Sequence, residues 1–460
     1  MVTLAGNAGT IGRMLRSAAL VAAIALAAAG GASAETVARG TGFGLLALDA
    51  QGTPSVAYVH GATLVVASRT KANVWARAEA ASVPVGSSVM AFTIGPQGPV
   101  LLAGSADSRK LYLVRRRSVG WQTVVVASVP ARYRLGWPGL ALDPHGLPVI
   151  SYTRWDGPTL KSRLLLDRID ANGRIQTRRI TLEGFPKSYI PPPSTPVLFG
   201  DKAHVIESYG YKGVVGTIEW YPDKKTWTGL GLDAGLGDWP LGPVLAGARN
   251  GVLHAAWTES LLTMDLTAAP VALASRRHFA STSYVLDRAL ATALVLPSTG
   301  PEIAANQWVG SSDLGLEGEA DVWAGTVIRG STHIEVDGWL AGLGLAPKGG
   351  RDLLLGGSDG LRWFRVPHVL TTSVTIQAAD NGTDVTLSGR VRGAATGSVT
   401  IYRERPGEAR TAVGKAALAG GEFSFTDRPP TRPLTYRAVY VDPQTGVPYA
   451  ALLRRPVGSS

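Results

Sequence analysis

The chain has 460 residues, with 45 lysines and arginines against 34 acids, a formal net charge of +11, and no cysteine. That length exceeds one ordinary globular core, so either two domains or one large repeat array is expected. The missing thiols exclude disulfides, thiolate metal sites and a cysteine nucleophile.

From the N-terminus, Arg13 and Arg16 precede an apolar run over residues 17–29 and the small residues Ala32-Ser33-Ala34. This is the pattern of an export signal over residues 1–34. The run is shorter than the roughly 20 residues a spanning anchor needs, and no later stretch supplies them, so no membrane span is expected after signal removal. The remaining charge of +9, spread over a large surface, reads as solubility rather than nucleic-acid binding. A secreted or cell-envelope protein is expected.

From Leu45 onward one turn signature recurs about every fifty residues. Asp49-Ala50-Gln51-Gly52-Thr53-Pro54 is followed by Gly95-Pro96-Gln97-Gly98-Pro99 and Asp143-Pro144-His145-Gly146-Leu147-Pro148, with looser copies near Lys202, Gly251, Gly300 and Gly350. An apolar run enters each turn and another leaves it. A third follows, and a fourth starts near an aromatic such as Trp75, Trp121 or Trp227. Four short strands in a fixed period make the blade of a β-propeller. Seven units fit residues 42–369, the seventh one strand short, and residues 35–42 are expected to supply the missing strand. Val285–Leu296, the best helix candidate, reads as the end of the fifth unit and the start of the sixth. Arg115-Arg116-Arg117 reads as a solvated strand edge that resists edge-to-edge pairing, with an anionic polymer such as teichoic acid or acidic polysaccharide as the other reading.

From about Leu370 the period changes. Short strands at 375–379, 384–388, 399–403, 422–426 and 436–441, with the hairpin turn Asp380-Asn381-Gly382, predict a small β-sandwich over 370–460. The fold expected is all-β: a seven-bladed propeller over 35–369 followed by an Ig-like β-sandwich.

The unit Leu-Ala-Leu-Asp-x-x-Gly-x-Pro-x-[Val/Ile]-x-Tyr, as at 46–58 and 140–152, resembles the blades of secreted bacterial sialidase-like (BNR-type) propellers. The tail, with Val385-Thr386-Leu387-Ser388-Gly389 and Thr435-Tyr436-Arg437-Ala438-Val439, is similar to bacterial Ig-like modules. The sialidase resemblance implies an arginine triad, a Tyr/Glu nucleophile pair, an Asp acid/base and Asp-boxes. Only Ser311-x-Asp313-x-Gly315 begins such a box, Glu317-Gly318 stands where Thr-Trp belongs, and the Arg-Ile-Pro motif is absent.

If the repeat turns join first to second strands, the opposite rim carries the ligand. The candidates there are Arg132, Arg134, Trp137, Arg154, Trp155, Tyr189, Tyr211, Trp239 and Glu259. Aromatic faces stack on sugar rings while guanidinium and carboxylate groups hydrogen-bond hydroxyls; packing of these aromatics between blades is the competing explanation. Asp107, Asp156, Glu259 and Asp313 are the carboxylates that could form a hydrolytic pair. His145, His204 and His254 lack metal-ligand spacing, and Gly356–Gly360 matches Gly-x-Ser-x-Gly but reads as a hairpin, not a nucleophile elbow. No catalytic residue, metal or cofactor is expected. The expected function is non-enzymatic binding of a carbohydrate or cell-wall polymer, or of a surface protein. A glycosidase or polysaccharide lyase is the alternative.

Overall fold

An aspartate three residues ahead of a glycine makes the same turn three times. Asp49 Oδ1 accepts the N–H groups of Gln51 and Thr53 at 2.9 and 2.7 Å, and Asp143 accepts those of His145 and Leu147 at 2.9 and 2.8 Å. Asp170 does the same for Asn172 and Arg174, at 2.8 Å each. The glycines stand at φ 77°, 76° and 84°, a region that costs other residues strain. A Cβ on Gly146 would lie 3.0 Å from Pro96 of the preceding turn, so this glycine also admits its neighbour. In the fifth and seventh turns Asn250, Lys348 and Gly349 carry the positive φ.

The computed structural model describes residues 34–460 except 157–161, 181–195, 200–201, 210–213, 221–226, 233–239, 251, 260–265, 273–281, 285–288, 310–321, 330–331, 358, 406–407, 409, 432–433, 454–456 and 459–460. The export-signal segment therefore lies outside the described residues. Within them the chain is nearly all β, the only helix being a 3-10 turn at Pro347–Gly349. It divides into two compact units, residues 44–303 with 343–347, and residues 304–342 and 348–460 with the N-terminal segment up to Phe43.

The first unit contains five consecutive four-stranded antiparallel meanders. Sheet 1 is Leu45–Leu48, Pro54–His60, Thr63–Arg69 and Trp75–Ser82; sheet 2 is Ser88–Gly95, Gly98–Gly104, Lys110–Arg117 and Gly120–Ser128. Sheet 3 is Tyr133–Leu142, Pro148–Asp156, Ser162–Ile169 and Ile175–Ile180. Sheet 4 is Val197–Phe199, Lys202–Tyr209, Val214–Trp220 and Trp227–Leu232, and sheet 5 is Pro240–Arg249, Val252–Glu259, Leu266–Ala272 and Thr282–Tyr284. The repeat turns join first to second strands, as expected. Ala289–Val295 is a strand, as the repeat reading requires.

The second unit holds two assemblies. In one, Glu35–Ala38 pairs antiparallel with Gly360–Val366 and becomes the fourth strand beside Arg351–Gly357 and Trp339–Leu345. Glu35–Ala38 thus supplies the fourth strand that the repeat pattern leaves missing after Gly360–Val366. In the other, Ser373–Asp380, Val385–Arg392 and Glu422–Asp427 form one sheet. Thr411–Ala417, Ser398–Glu404, Thr435–Val441 and Pro448–Leu452 form another, which continues through Val336↔Tyr449 into Thr332–Val336. Two of these strands, Thr411–Ala417 and Pro448–Leu452, are not signalled by the sequence. The first mixes Gly, Lys and Ala, which have low strand propensity, and the other opens on Pro.

One prediction arises inside sheet 3. Asp167 is fully buried, and Tyr152 donates its hydroxyl to Asp167 Oδ2 at 3.0 Å. Burial pushes its carboxyl up from 3.8 to about 6, against hydrogen bonds from Thr177 and Tyr152 that favour the charged form. Below about pH 4 the group is protonated in both folded and unfolded chains. As pH rises toward 6 the unfolded chain ionises first, so stability falls and then levels off, by about 3 kcal/mol in all. Asp167→Asn is expected to gain on the parent by that amount between pH 4 and pH 7 in urea melts. A difference that stays constant with pH would show that Asp167 ionises normally.

Candidate functional site

The rim opposite the repeat turns is built by the ends of sheets 2 and 3. In sheet 2 a tight turn follows Gly98–Gly104. Ser105 Oγ donates to Asp107 Oδ1 at 2.6 Å and accepts the N–H of Lys110 at 2.9 Å. Arg109 Nε donates to Asp107 Oδ2 at 2.5 Å. The Ser105 hydroxyl, helped by Arg109, holds the Asp107 carboxyl down at about 2. The N–H of Leu135 donates to Ser108 O at 2.6 Å, which fixes this turn beside the first strand of sheet 3.

In sheet 3 the register pairs Tyr133 with Asp156, Arg134 with Trp155, Leu135 with Arg154 and Gly136 with Thr153. Strand alternation puts Tyr133, Leu135, Arg154 and Asp156 on one face and Arg134 and Trp155 on the other. Leu135, Ile150 and Tyr152 pack with Val100, Leu102 and Leu113, so the face bearing Tyr133 and Arg154 is turned to sheet 2. Val149, Leu164 and Leu166 pack with Ala203 and Val205, so the face bearing Arg134 and Trp155 is turned to sheet 4. The fold therefore divides the predicted rim residues between the two faces of sheet 3.

The face toward sheet 2 brings four of these residues together. Arg154 stacks over the Tyr133 ring at 4.9 Å and Arg132 lies 5.8 Å from the same ring. Arg132 Nε donates to Asp156 Oδ2 at 2.8 Å, with a further bond from its terminal nitrogen. Those bonds raise the Arg132 pKa further. On the opposite face Arg134 donates to the carbonyls of Ala131 and Tyr133 at 2.5 and 3.0 Å. The Trp155 ring lies against Gly136, where any Cβ would overlap it, so one ring face is used for packing.

Trp137 falls in the bulge between Gly136 and Gly139, and Glu259 ends a strand opposite Pro240. Tyr189, Tyr211, Trp239 and Asp313 lie outside the described residues. Among the described residues no three His, Cys, Asp or Glu could hold a metal ion, and no helix is long and apolar enough to cross a membrane. Gly357 pairs with Gly360 and Gly356 with Leu361, the register of a hairpin, while Ser358 lies outside the described residues.

The basic run needs a correction. Lys110–Arg117 is the third of four strands, not an edge. Arg115 and Arg117 reach into sheet 3, where Arg117 donates to Ala171 O at 2.9 Å and Arg115 to Asp170 O at 3.2 Å. The strand's alternation sends residues 115 and 117 toward the neighbouring turn, a contact 55 residues away that local pattern cannot contain.

No protein-family model and no curated protein sequence matches the chain. Among solved structures it is similar to an α-L-arabinanase from Penicillium chrysogenum complexed with arabinobiose, at 11% identity over 65% of this chain and 96% of that one, TM-score 0.38. It is also similar to a Trypanosoma rangeli sialidase in complex with sialic acid, at 9% identity over 90% and 94%, TM-score 0.39. A third is a Lactobacillus plantarum protein, at 12% identity over 69% and 87%, TM-score 0.41. Likeness at this level says nothing of activity.

Proposed function

We propose that the chain is an exported binding protein that holds a saccharide polymer at the sheet 2–sheet 3 rim without cleaving it. In this reading residues 1–34 are the export signal, 35–369 a seven-bladed propeller and 370–460 an Ig-like module. Five successive meanders and the N-terminal strand in the last repeat sheet support the propeller.

The observation that carries the binding role is the state of the rim carboxylates. Asp107 is bonded to Ser105 and Arg109, and Asp156 to Arg132. A glycosidase needs one carboxylic acid that keeps its proton near neutral pH. Asp107 is instead held down at about 2, and Asp156 is locked to a guanidinium. Asp167, whose carboxyl burial pushes up, is buried within sheet 3 and does not reach the rim. At the ends of sheets 2 and 3 the groups on offer are those of recognition chemistry: a half-buried tyrosine ring and the Arg154 fork, whose N–H groups suit sugar hydroxyls.

The mature protein is expected to co-sediment saturably with one of a panel of insoluble polysaccharides and bacterial walls, releasing no reducing ends. Arg154→Ala is expected to weaken that binding about tenfold, the loss of one hydrogen bond to a charged group. Binding unchanged by Arg154→Ala and Tyr133→Ala, or reducing ends released in proportion to protein, would overturn the reading.

A further inference from the structure

Residues 88–180, which form sheets 2 and 3, contain fourteen lysines and arginines against five acids, a net +9. Arg13 and Arg16 account for the rest of the chain's +11, so everything outside these two sheets and residues 1–34 balances to zero. The excess charge is concentrated, not spread as the composition suggested.

Part of it gathers at the repeat-turn end, away from the rim just described. Arg115 donates to Gln122 Oε1 at 2.8 Å and to the carbonyls of Asp170 and Ala171 at 3.2 and 3.4 Å. Arg117 donates to Ala171 O at 2.9 Å, and Arg174 stands exposed in the same turn. On the other side of the strand, exposed Arg116 stacks over Trp121 at 5.6 Å. Carbonyl and amide oxygens orient these guanidinium groups but leave their charge in place. The acid of this turn, Asp170, directs Oδ1 to the N–H groups of its own turn. Burial lowers the Arg115 pKa and the charge of Arg117 lowers it further, against the nearby charge of Asp170, which raises it. Like charges fixed together in this way are relieved by an anion from solution. Arg116 lies on one strand face and Arg115 and Arg117 on the other, so a small anion reaches one side only. A linear polymer crossing the hairpin tip at Ser118 and Val119 reaches both.

We infer that the turn end of sheets 2 and 3, through Arg116, Arg117 and Arg174, binds an anionic glycopolymer whose charges are carboxylates or phosphodiesters. The choice of a glycopolymer over a nucleic acid rests on the proposed export; the site itself is independent of the rim.

The test compares binding of the mature protein to polygalacturonate, poly(glycerol phosphate), neutral dextran and duplex DNA at low and raised salt. Saturable, salt-sensitive binding to polygalacturonate identifies carboxylates, and binding to poly(glycerol phosphate) identifies phosphodiesters; either supports the site. Arg116→Gln/Arg174→Gln, exposed positions that leave Arg115 in place, is expected to weaken binding at least about tenfold and reduce the salt slope by about 1.5. Arg390→Gln, an exposed arginine of the C-terminal sheets, is expected to bind like the parent. Three results would overturn the inference: no binding to either anionic polymer, an unaltered double variant with an unaltered melt, or duplex DNA bound more tightly than both polymers.

Discussion

Asp337→Ala is expected to destabilise the second unit by about 4 kcal/mol, the cost of stranding buried charge. Asp337 follows the strand Thr332–Val336 and is buried with its partners. Arg410 grips its two oxygens at 2.5 and 2.8 Å, and Arg437 stands 3.6 Å away. Arg437 in turn holds Glu404 at 2.5 and 3.1 Å. Burial alone would raise the Asp337 pKa; the charge and hydrogen bonds of Arg410, with Arg437 and Arg362, overcome it and hold the carboxyl below 3.8. Its stabilising contribution is therefore present above about pH 4 and lost as pH falls through the lower folded value. Removing the carboxylate leaves two buried arginines facing Glu404. Chemical denaturation of the parent and the variant at neutral pH measures the loss, and a difference under about 1 kcal/mol would mean that removing Asp337 strands no buried charge. Because the N–H of Asp337 also donates to Pro448 O at 2.7 Å, this corner joins a repeat hairpin to the C-terminal strands.

Deleting Glu35–Ala38 is expected to cost a similar amount, about 4 kcal/mol from lost apolar burial and ladder hydrogen bonds. Val37 is fully buried and Ala38 nearly so, and their strand pairs Glu35 with Trp363, Thr36 with Arg362 and Ala38 with Leu361. The approach is so close that any Cβ at Gly360 would strike the Ala38 carbonyl. Without the strand, Gly360–Val366 becomes an open edge bearing buried Trp363 and Phe364, an aggregation template as well as a loss of stability. A thermal melt of the shortened chain matching that of the parent would show that the pairing is dispensable.

Much of the fold was legible because its signals are local. Asp-x-x-Gly carries its own hydrogen bonds within five residues, so Asp49 and Asp143 mark hairpins wherever the chain goes. Proline after the glycine marks where the next strand starts, at Pro54 and Pro148. The missing strand was legible by counting alone. Strands without such markers, Thr411–Ala417 above all, were not, because their stability comes from neighbours rather than from their own residue types.

The candidate site was legible in residue type and not in arrangement. Arg132, Arg134, Arg154 and Trp155 all lie where the rim was expected, yet register sends them to different faces. Arg132 finds Asp156 across 24 residues, and Arg410 finds Asp337 across 73. Neither pairing leaves a trace in spacing.

By itself the sequence determined the repeat, its turn chemistry and the all-β class. All of these depend on residue types close together along the chain. Only the tertiary structure decided which arginines are cancelled by a carboxylate, which are merely oriented by carbonyls, and which face of its sheet each aromatic ring occupies. Charge neutralisation requires partners within about 4 Å in space, and strands brought together from distant segments set that distance.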